Sequence, residues 1–181
     1  MPSQIHDGDL IFLVLDFKRR WLRKVESGKD YHTDKGFFKY DEIIGKDFGT
    51  TATLQPSQKK IALLKPLPSD IVMHMKRESQ IIYPEDIGLI LTYGDIHPGS
   101  VIMEAGVGSG TVTSIMAMFA QKDGHIYTHD VRPIAMKQAQ QNLDKMGVSP
   151  YCTIALKDIC QEELSIPDVD FIMLDLNQRI R

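Results

Sequence analysis

The hydrophobic rhythm of the chain changes part-way along. Up to about Met75 the apolar residues come in short runs rich in β-branched and aromatic types: Leu10–Leu15, Trp21–Val25, Gly36–Ile44, Thr50–Leu54 and Lys60–Leu64. Turn residues separate them, namely Ser27-Gly28, Thr33-Asp34, Gly45, Gly49, Pro56 and Pro66. This pattern predicts a small, mostly β domain over residues 1–68. Residues 69–84 read as a linker, in which Ser69-Asp70 caps a short helix or opens a last strand through Met75. After Tyr83-Pro84 helices and strands alternate: helix 85–93, strand 100–104, helix 109–120, strand 124–129, helix 132–146, then strands 151–156 and 169–176. That is the α/β pattern, a Rossmann-like doubly wound sheet over residues 85–181. Nearly continuous apolar runs such as Phe171-Ile172-Met173-Leu174 belong in a parallel sheet covered on both faces. Right-handed crossovers then place ligands beyond the carboxyl ends of the strands. Met116, Met118, Met136 and Met146 fall at spacings that suit buried helix faces.

Composition adds little to this but excludes much. With 181 residues, 43% hydrophobic and 8% aromatic, the chain has enough apolar material for a real core. The early run Leu10–Leu15 follows Asp7-Gly8-Asp9, so it is too short for a membrane span and wrongly flanked for a signal peptide. A soluble, cytoplasmic protein is the expectation. Cys152 and Cys160 offer no metal-ligand spacing and read as reduced packing thiols, with no metal expected. Charge is uneven: residues 1–80 carry 14 Lys and Arg against 11 Asp and Glu, residues 81–181 carry 7 against 13. A mildly basic half beside an acidic one is compatible with phosphate binding by the first and chemistry in the second, although from charge alone solvated surface lysines are the commoner meaning of such a balance.

The candidate chemistry starts at Glu104-Ala105-Gly106-Val107-Gly108-Ser109-Gly110, directly after the apolar Val101-Ile102-Met103. Glycines here let a backbone approach a ligand at the start of a helix. The lysine of a phosphate-cradling P-loop is missing, since Thr111 follows Gly110. Three acids follow at later strand ends, Asp130, Asp158 and Asp175, and a doubly wound sheet brings all four loops towards one crevice. Asp130 is placed to accept from both ribose hydroxyls of a nucleoside, and Asp158 from an adenine amino group. Two cofactor classes fit, NAD(P) and S-adenosylmethionine. Thr111 stands where the dinucleotide fingerprint needs its third glycine, which favours S-adenosylmethionine. Glu104 points the same way, because a carboxylate leading the turn repels a pyrophosphate but can engage the amino group of a cationic cofactor.

Three stretches together resemble a known family. Gln80-Ile81-Ile82-Tyr83-Pro84-Glu85-Asp86, then Pro98-Gly99-Ser100-Val101-Ile102-Met103-Glu104-Ala105-Gly106-Val107-Gly108-Ser109-Gly110, and Phe171-Ile172-Met173-Leu174-Asp175-Leu176 are similar to the tRNA (adenine-N1) methyltransferases that modify adenine 58 of the T loop. Lys35-Gly36-Phe37-Phe38-Lys39 and Ile43–Gly49 resemble that family's β domain, whose loops contact RNA. The resemblance implies a class I methyltransferase fold, S-adenosylmethionine as cofactor and tRNA as partner, with no membrane and a homo-oligomer, commonly a tetramer. It implies that Val107–Gly110 and Thr111 hold the methionine moiety, Asp130 the ribose and Asp158 the adenine. Asp175 takes the catalytic position, Gln80 and Tyr83 line the same pocket, and Lys35 and Lys39 fall in the RNA-contacting part. The family usually has Glu where this chain has Asp130.

The family also continues past this point with further strands and helices, whereas this chain reads Leu176-Asn177-Gln178-Arg179-Ile180-Arg181 and ends. The expectation is an incomplete class I sheet, truncated at its C-terminal side, with Phe171–Leu176 as an uncovered edge strand. Two other readings stay open. One is a class I methyltransferase for protein isoaspartyl groups or a small molecule; the other is a cofactor- or RNA-binding subunit without catalysis.

Overall fold

The computed structural model describes residues 3–76 and 80–176. Two compact units divide the chain, Met1–His74 and Met75–Arg181.

In the first unit, alternation along six strands builds the core. The strands β1 (Leu10–Val14), β2 (Arg20–Lys24), β3 (Asp30–Thr33), β4 (Gly36–Lys39), β5 (Thr51–Pro56) and β6 (Lys59–Leu64) pair in the order β2-β1-β6-β5-β4-β3, every pair antiparallel. Ile11 and Leu13, Ala52 and Leu54, and Ile61 and Leu63 point to one side, where they meet Ile5, Val25, Phe38 and Ile43. The sheet curls until its two edge strands approach: the Trp21 ring lies 6.0 Å from that of Tyr31. Helix α1 (Pro68–His74) packs against β2. Its start is fixed by the Asp70 carboxylate, which accepts from the Leu67 N–H at 2.9 Å as a capping-box acid does. Of the two expectations for Ser69-Asp70, the structure has the helix.

Two details differ from the reading of the sequence. The run Gly36–Ile44 is a strand only as far as Lys39, after which Tyr40–Glu42 form a 3₁₀ turn. The turn buries Tyr40 and Ile43 in the core, while the Asp41 carboxylate accepts from the Ser27 hydroxyl and the Gly28 N–H. Strand β3 is absent from the sequence reading because only Tyr31 in Asp-Tyr-His-Thr is both apolar and buried. Pairing with β4, Tyr31 opposite Phe38, brings it into the sheet.

The second unit is a parallel sheet of β7 (Val101–Ala105), β8 (His125–Asp130), β9 (Cys152–Leu156) and β10 (Phe171–Leu174), in the order β10-β7-β8-β9. Helices α2 (Pro84–Tyr93), α3 (Thr111–Ala120) and α4 (Pro133–Met146) accompany it. Prolines open α2 and α4, and Gly147 closes α4 at φ 70°. The buried positions of α4, Ala135, Gln138, Ala139, Asn142 and Leu143, recur at helical spacing. Of the four methionines, Met116 is buried and Met118, Met136 and Met146 are half-buried. The chain runs outward from β7 through β8 to β9, then crosses to lie on the other side of β7. The order therefore reverses between β7 and β10, where open α/β sheets bind ligands.

Strand β10 is shorter than residues 169–176, and it is not covered on both faces: Ile172 is 55% and Leu174 52% exposed. The physical reason is its place at the edge of the sheet, with only β7 as neighbour among the described residues. Its register is held at the start by Asp170, whose carboxylate accepts from the Val101 N–H at 2.8 Å. The Asn177–Arg181 ending and residues 77–79 of the linker lie outside the described residues. Among the described residues no helix is long and apolar enough to cross a membrane.

Candidate active site

The site is built where β7 runs into the glycine turn. Gly106 adopts φ 99°, its N–H donates to the His129 carbonyl at 2.8 Å, and a Cβ added to it would overlap the Asp175 carbonyl. The Asp175 N–H in turn donates to the Ala105 carbonyl at 2.9 Å, so the loops leaving β7 and β10 press together. Only glycine allows both the positive φ and that approach. Gly110, at φ 72°, precedes the first residue of α3, and a Cβ there would come within 2.9 Å of Ala139 on α4. It thus provides the close packing that a third fingerprint glycine would have given. The turn is then tied from outside by Asn142 of α4, which donates to the Ser109 carbonyl at 2.8 Å and the Lys76 carbonyl at 2.9 Å.

A crevice of about 190 Å³ opens beyond the strand ends, lined by Ala105, Gly106, His129, Asp130, Asp158 and Asp175 with Arg132, Lys157 and Cys160. A smaller cavity of about 40 Å³ adjoins it through Gly106 and Asp175, and is lined by Gln80, Glu104, Val107, Gly108, Ser109, Thr111 and Met173. Glu104 is fully buried, and one oxygen of its carboxyl accepts from the hydroxyls of Thr113 (2.5 Å) and Thr128 (2.6 Å). Burial pushes its pKa up to about 7; the two threonines oppose the rise and the nearby carboxylates of Asp175 and Asp130 add to it. Asp130 has the opposite balance. Burial raises its pKa, but Arg132 and the Gly108 N–H outweigh burial and hold it below the usual carboxylate range. Oδ1 accepts from the Arg132 N–H (2.9 Å) and Nε (3.0 Å), and Oδ2 from Arg132 Nη2 (3.0 Å) and the Gly108 N–H (3.3 Å). Asp158 turns the chain after β9, accepting from the Cys160 N–H at 3.0 Å. Asp175 is exposed and borders both cavities.

A family described as "tRNA methyltransferase complex GCD14 subunit" matches residues 59–180. The chain belongs to that family. Among curated relatives it is 27% identical over 172 residues to the tRNA (adenine(58)-N(1))-methyltransferase catalytic subunit TRM61 of Kluyveromyces lactis, covering 92% of this chain and 42% of that protein. It is 33% identical over 127 residues to the tRNA (adenine(57)-N(1)/adenine(58)-N(1))-methyltransferase TrmI of Methanocaldococcus jannaschii, covering 67% of this chain and 45% of that one. The chain thus spans about half the length of the curated relatives it matches. Among solved structures, a SAM-dependent O-methyltransferase from Thermotoga maritima superposes with a TM-score of 0.81 at 31% identity, covering 96% of this chain and 64% of that one. The tRNA (m1A58) methyltransferase TrmI from Aquifex aeolicus shares the fold, with a TM-score of 0.75 at 22% identity over 96% of this chain and 67% of its own.

Within this family member the residues expected from the sequence divide clearly. Gly106, Asp130, Asp158 and Asp175 meet at the larger crevice, and Glu104, Val107, Gly108, Ser109 and Thr111 meet Gln80 at the smaller. Gly110 lines neither and packs against Ala139 instead. Tyr83 lines neither cavity: it sits at the start of α2 with 49% of its surface exposed. Lys35 and Lys39 belong to the first unit, where Lys35 pairs with Asp34 at 3.2 Å and Lys39 is exposed. Five contributors escape sequence reasoning: Arg132, His129, Asn142, Thr113 and Thr128. Only Arg132 carried a signal, as a cation two residues after a strand-end acid. Among the described residues no group of His, Cys, Asp and Glu gathers as a metal site.

Proposed function

We propose that this chain carries the cofactor site of an S-adenosylmethionine-dependent methyltransferase acting on N1 of adenine 58 in the T loop of tRNA. The observation that supports this most is the convergence of Gly106, Asp130, Asp158 and Asp175 at the switch point of the sheet, in a member of a tRNA methyltransferase family. The residues present fit such a cofactor. Gly108 borders the smaller cavity with nearly open space where a side chain would stand, which lets a ligand lie against backbone, and a buried carboxyl with no cation beside it among the described residues suits an arriving ammonium group.

When bound, the cofactor supplies an electrophilic methyl group on sulfonium sulfur. The chain's own residues then hold and orient. Gly106–Ser109 and Thr111 would hold the methionine part with Glu104, Asp130 would accept from the ribose once the side-chain bonds from Arg132 give way, and Asp158 would read the adenine. N1 of the target adenine has an in-plane lone pair and is mostly unprotonated at neutral pH, so positioning contributes more than base catalysis. Asp175 accepts a hydrogen bond from the exocyclic amine of the target, which orients N1 and stabilises the positive charge that develops on the base. The target base leaves its stack to reach Asp175. The family's description as a complex subunit supports assembly with further chains, which we take to be further copies of this one.

Incubation with radiolabelled S-adenosylmethionine and an unmodified tRNA transcript tests the reading. Label transfer to adenine is expected, falling on the order of 10²–10³-fold in Asp175→Ala. Cofactor binding without transfer would leave a binding subunit, and absence of cofactor binding would sink the proposal.

A further inference from the structure

Residues Phe17–Val25 read Phe-Lys-Arg-Arg-Trp-Leu-Arg-Lys-Val, five cations and no acid in nine residues. The segment lies outside residues 59–180 that match the family, and in a different unit from the crevice. It forms the tip of the β1–β2 hairpin and the whole of β2, an edge strand. Phe17 at the tip is 85% exposed, the most exposed phenylalanine among the described residues. The tip is nevertheless ordered. The Asp16 carboxylate accepts from the N–H groups of Lys18 (3.0 Å) and Arg19 (2.9 Å) and from Arg19 Nε (2.7 Å), and the Leu15 N–H donates to the Arg19 carbonyl at 3.0 Å. The Arg20 guanidinium carbon sits 5.0 Å from the centre of the Phe17 ring, steadying one face by a cation–π contact.

The cations around this ring differ in what they can do. Arg19 is spent on Asp16 (2.6 Å) and Asp34 (3.3 Å). Lys18, Arg20, Arg23 and Lys24 are exposed and have no carboxylate within ion-pair distance among the described residues. A protein-docking anchor would sit within an apolar patch depleted of lysine. Here a lone ring stands among unpaired cations, the combination by which proteins hold unpaired nucleotides: a π-face for the base and positive charge for the flanking phosphates.

We propose that the β1–β2 hairpin tip is a stacking site for an unpaired nucleobase of RNA, with Phe17 taking the base and Lys18 and Arg20 the adjoining phosphates. That the natural ligand is tRNA rests on the function proposed above; the stacking site does not. Trp21, the chain's single tryptophan, is half-buried and follows Arg20 directly, so its fluorescence reports on the tip.

The test titrates the full chain, without cofactor, with a short oligoadenylate RNA and with an RNA duplex of the same length, following Trp21 fluorescence and anisotropy of end-labelled RNA. Phe17→Ala is expected to weaken oligoadenylate binding about 5- to 150-fold, the range of one lost base–aromatic stack, and to leave duplex binding unchanged. Phe17→Tyr restores the platform and the affinity. Arg20→Gln lowers the salt slope of oligoadenylate binding by about 0.7, one phosphate contact on a single strand. Equal affinity of wild type and Phe17→Ala for oligoadenylate overturns the proposal, as does an equal loss on duplex. So does a Phe17→Ala variant that disperses a self-associated form without changing RNA binding. If Phe17-dependent binding holds while methyl transfer to tRNA fails, the function proposed above falls and the stacking site stands.

Discussion

The core of the first unit, around Ile11, Leu13, Leu54, Ile61 and Leu63, contains no buried charge, whereas the second unit buries Glu104, His129 and Asp130 together with Ser109, Thr111, Thr113, Ser114, Thr128, Gln138 and Asn142. Apart from the tyrosines Tyr31 and Tyr40 of the first unit, every buried polar or charged side chain among the described residues lies from Ser100 to Asn142. The difference teaches what each half of the chain is for. Closing a small curled sheet needs only apolar residues in the right alternation, because the backbone ladder satisfies its own polar groups. Buried polar groups cost stability unless fully paired, so their concentration around the glycine turn marks the place where geometry matters beyond holding the fold. The first unit contributes at its surface instead, through the Phe17 tip.

This contrast can be broken by mutation, and the largest effect is expected in the apolar core. Leu63→Ala removes a side chain with no exposed surface and should cost about 2–5 kcal/mol in urea denaturation, because the sheet around it cannot collapse into the space. A cost under about 1 kcal/mol would mean that the core repacks freely and that apolar fit does not hold the first unit. In the second unit the matching test is Glu104→Gln. Glu104 has a folded pKa of about 7 against an ordinary 4.5, so between those values the folded protein keeps a proton that the unfolded chain has released. Its contribution therefore falls as pH rises through that window, by about 3 kcal/mol in all, and is flat above it. The glutamine still accepts from Thr113 and Thr128 but cannot ionise, so its stability should lack that slope when urea midpoints are compared at about pH 5 and about pH 8. The same slope in both proteins would clear Glu104 of the effect.

The smallest expected change sharpens the contrast from the other side. Tyr31 is the one residue of the first unit with a buried side-chain polar atom lacking a partner among the described residues, and burial pushes its pKa up to about 12. Tyr31→Phe removes that hydroxyl and keeps the ring against Phe38, Tyr40 and Trp21. Its stability should match the wild type or exceed it by up to about 1 kcal/mol, since the lost group has no hydrogen bond to lose. A thermal melt showing a clear loss would reveal a polar interaction at this position and weaken the claim that the first unit is held by apolar contacts alone.

Much of the second unit is written in local pattern. The alternation of helices and strands after Pro84, the glycine turn after β7 and the acids ending β8 and following β9 and β10 can all be read along the chain. They are readable because side-chain period, capping residues and turn glycines act over a few residues at a time. In the first unit the same method finds five strand-like runs but not β3, whose four residues carry one buried apolar side chain, and it extends β4 into a turn. There the partner strand supplies what the local pattern lacks.

The sequence by itself determined the class of fold, the glycine turn, and which acids stand at strand ends. Tertiary structure decided what those acids touch. Glu104 lies opposite Thr128 only because β7 and β8 pair in that register, and Thr113 reaches the same carboxyl only because α3 packs over it. Asn142 secures the glycine turn from 33 residues away, and Tyr83 stays outside the pocket that its neighbour Gln80 helps to line. Periodicity tells which face a residue occupies, but hydrogen-bond partners are set by register and by the packing of helices, which no window of a few residues contains.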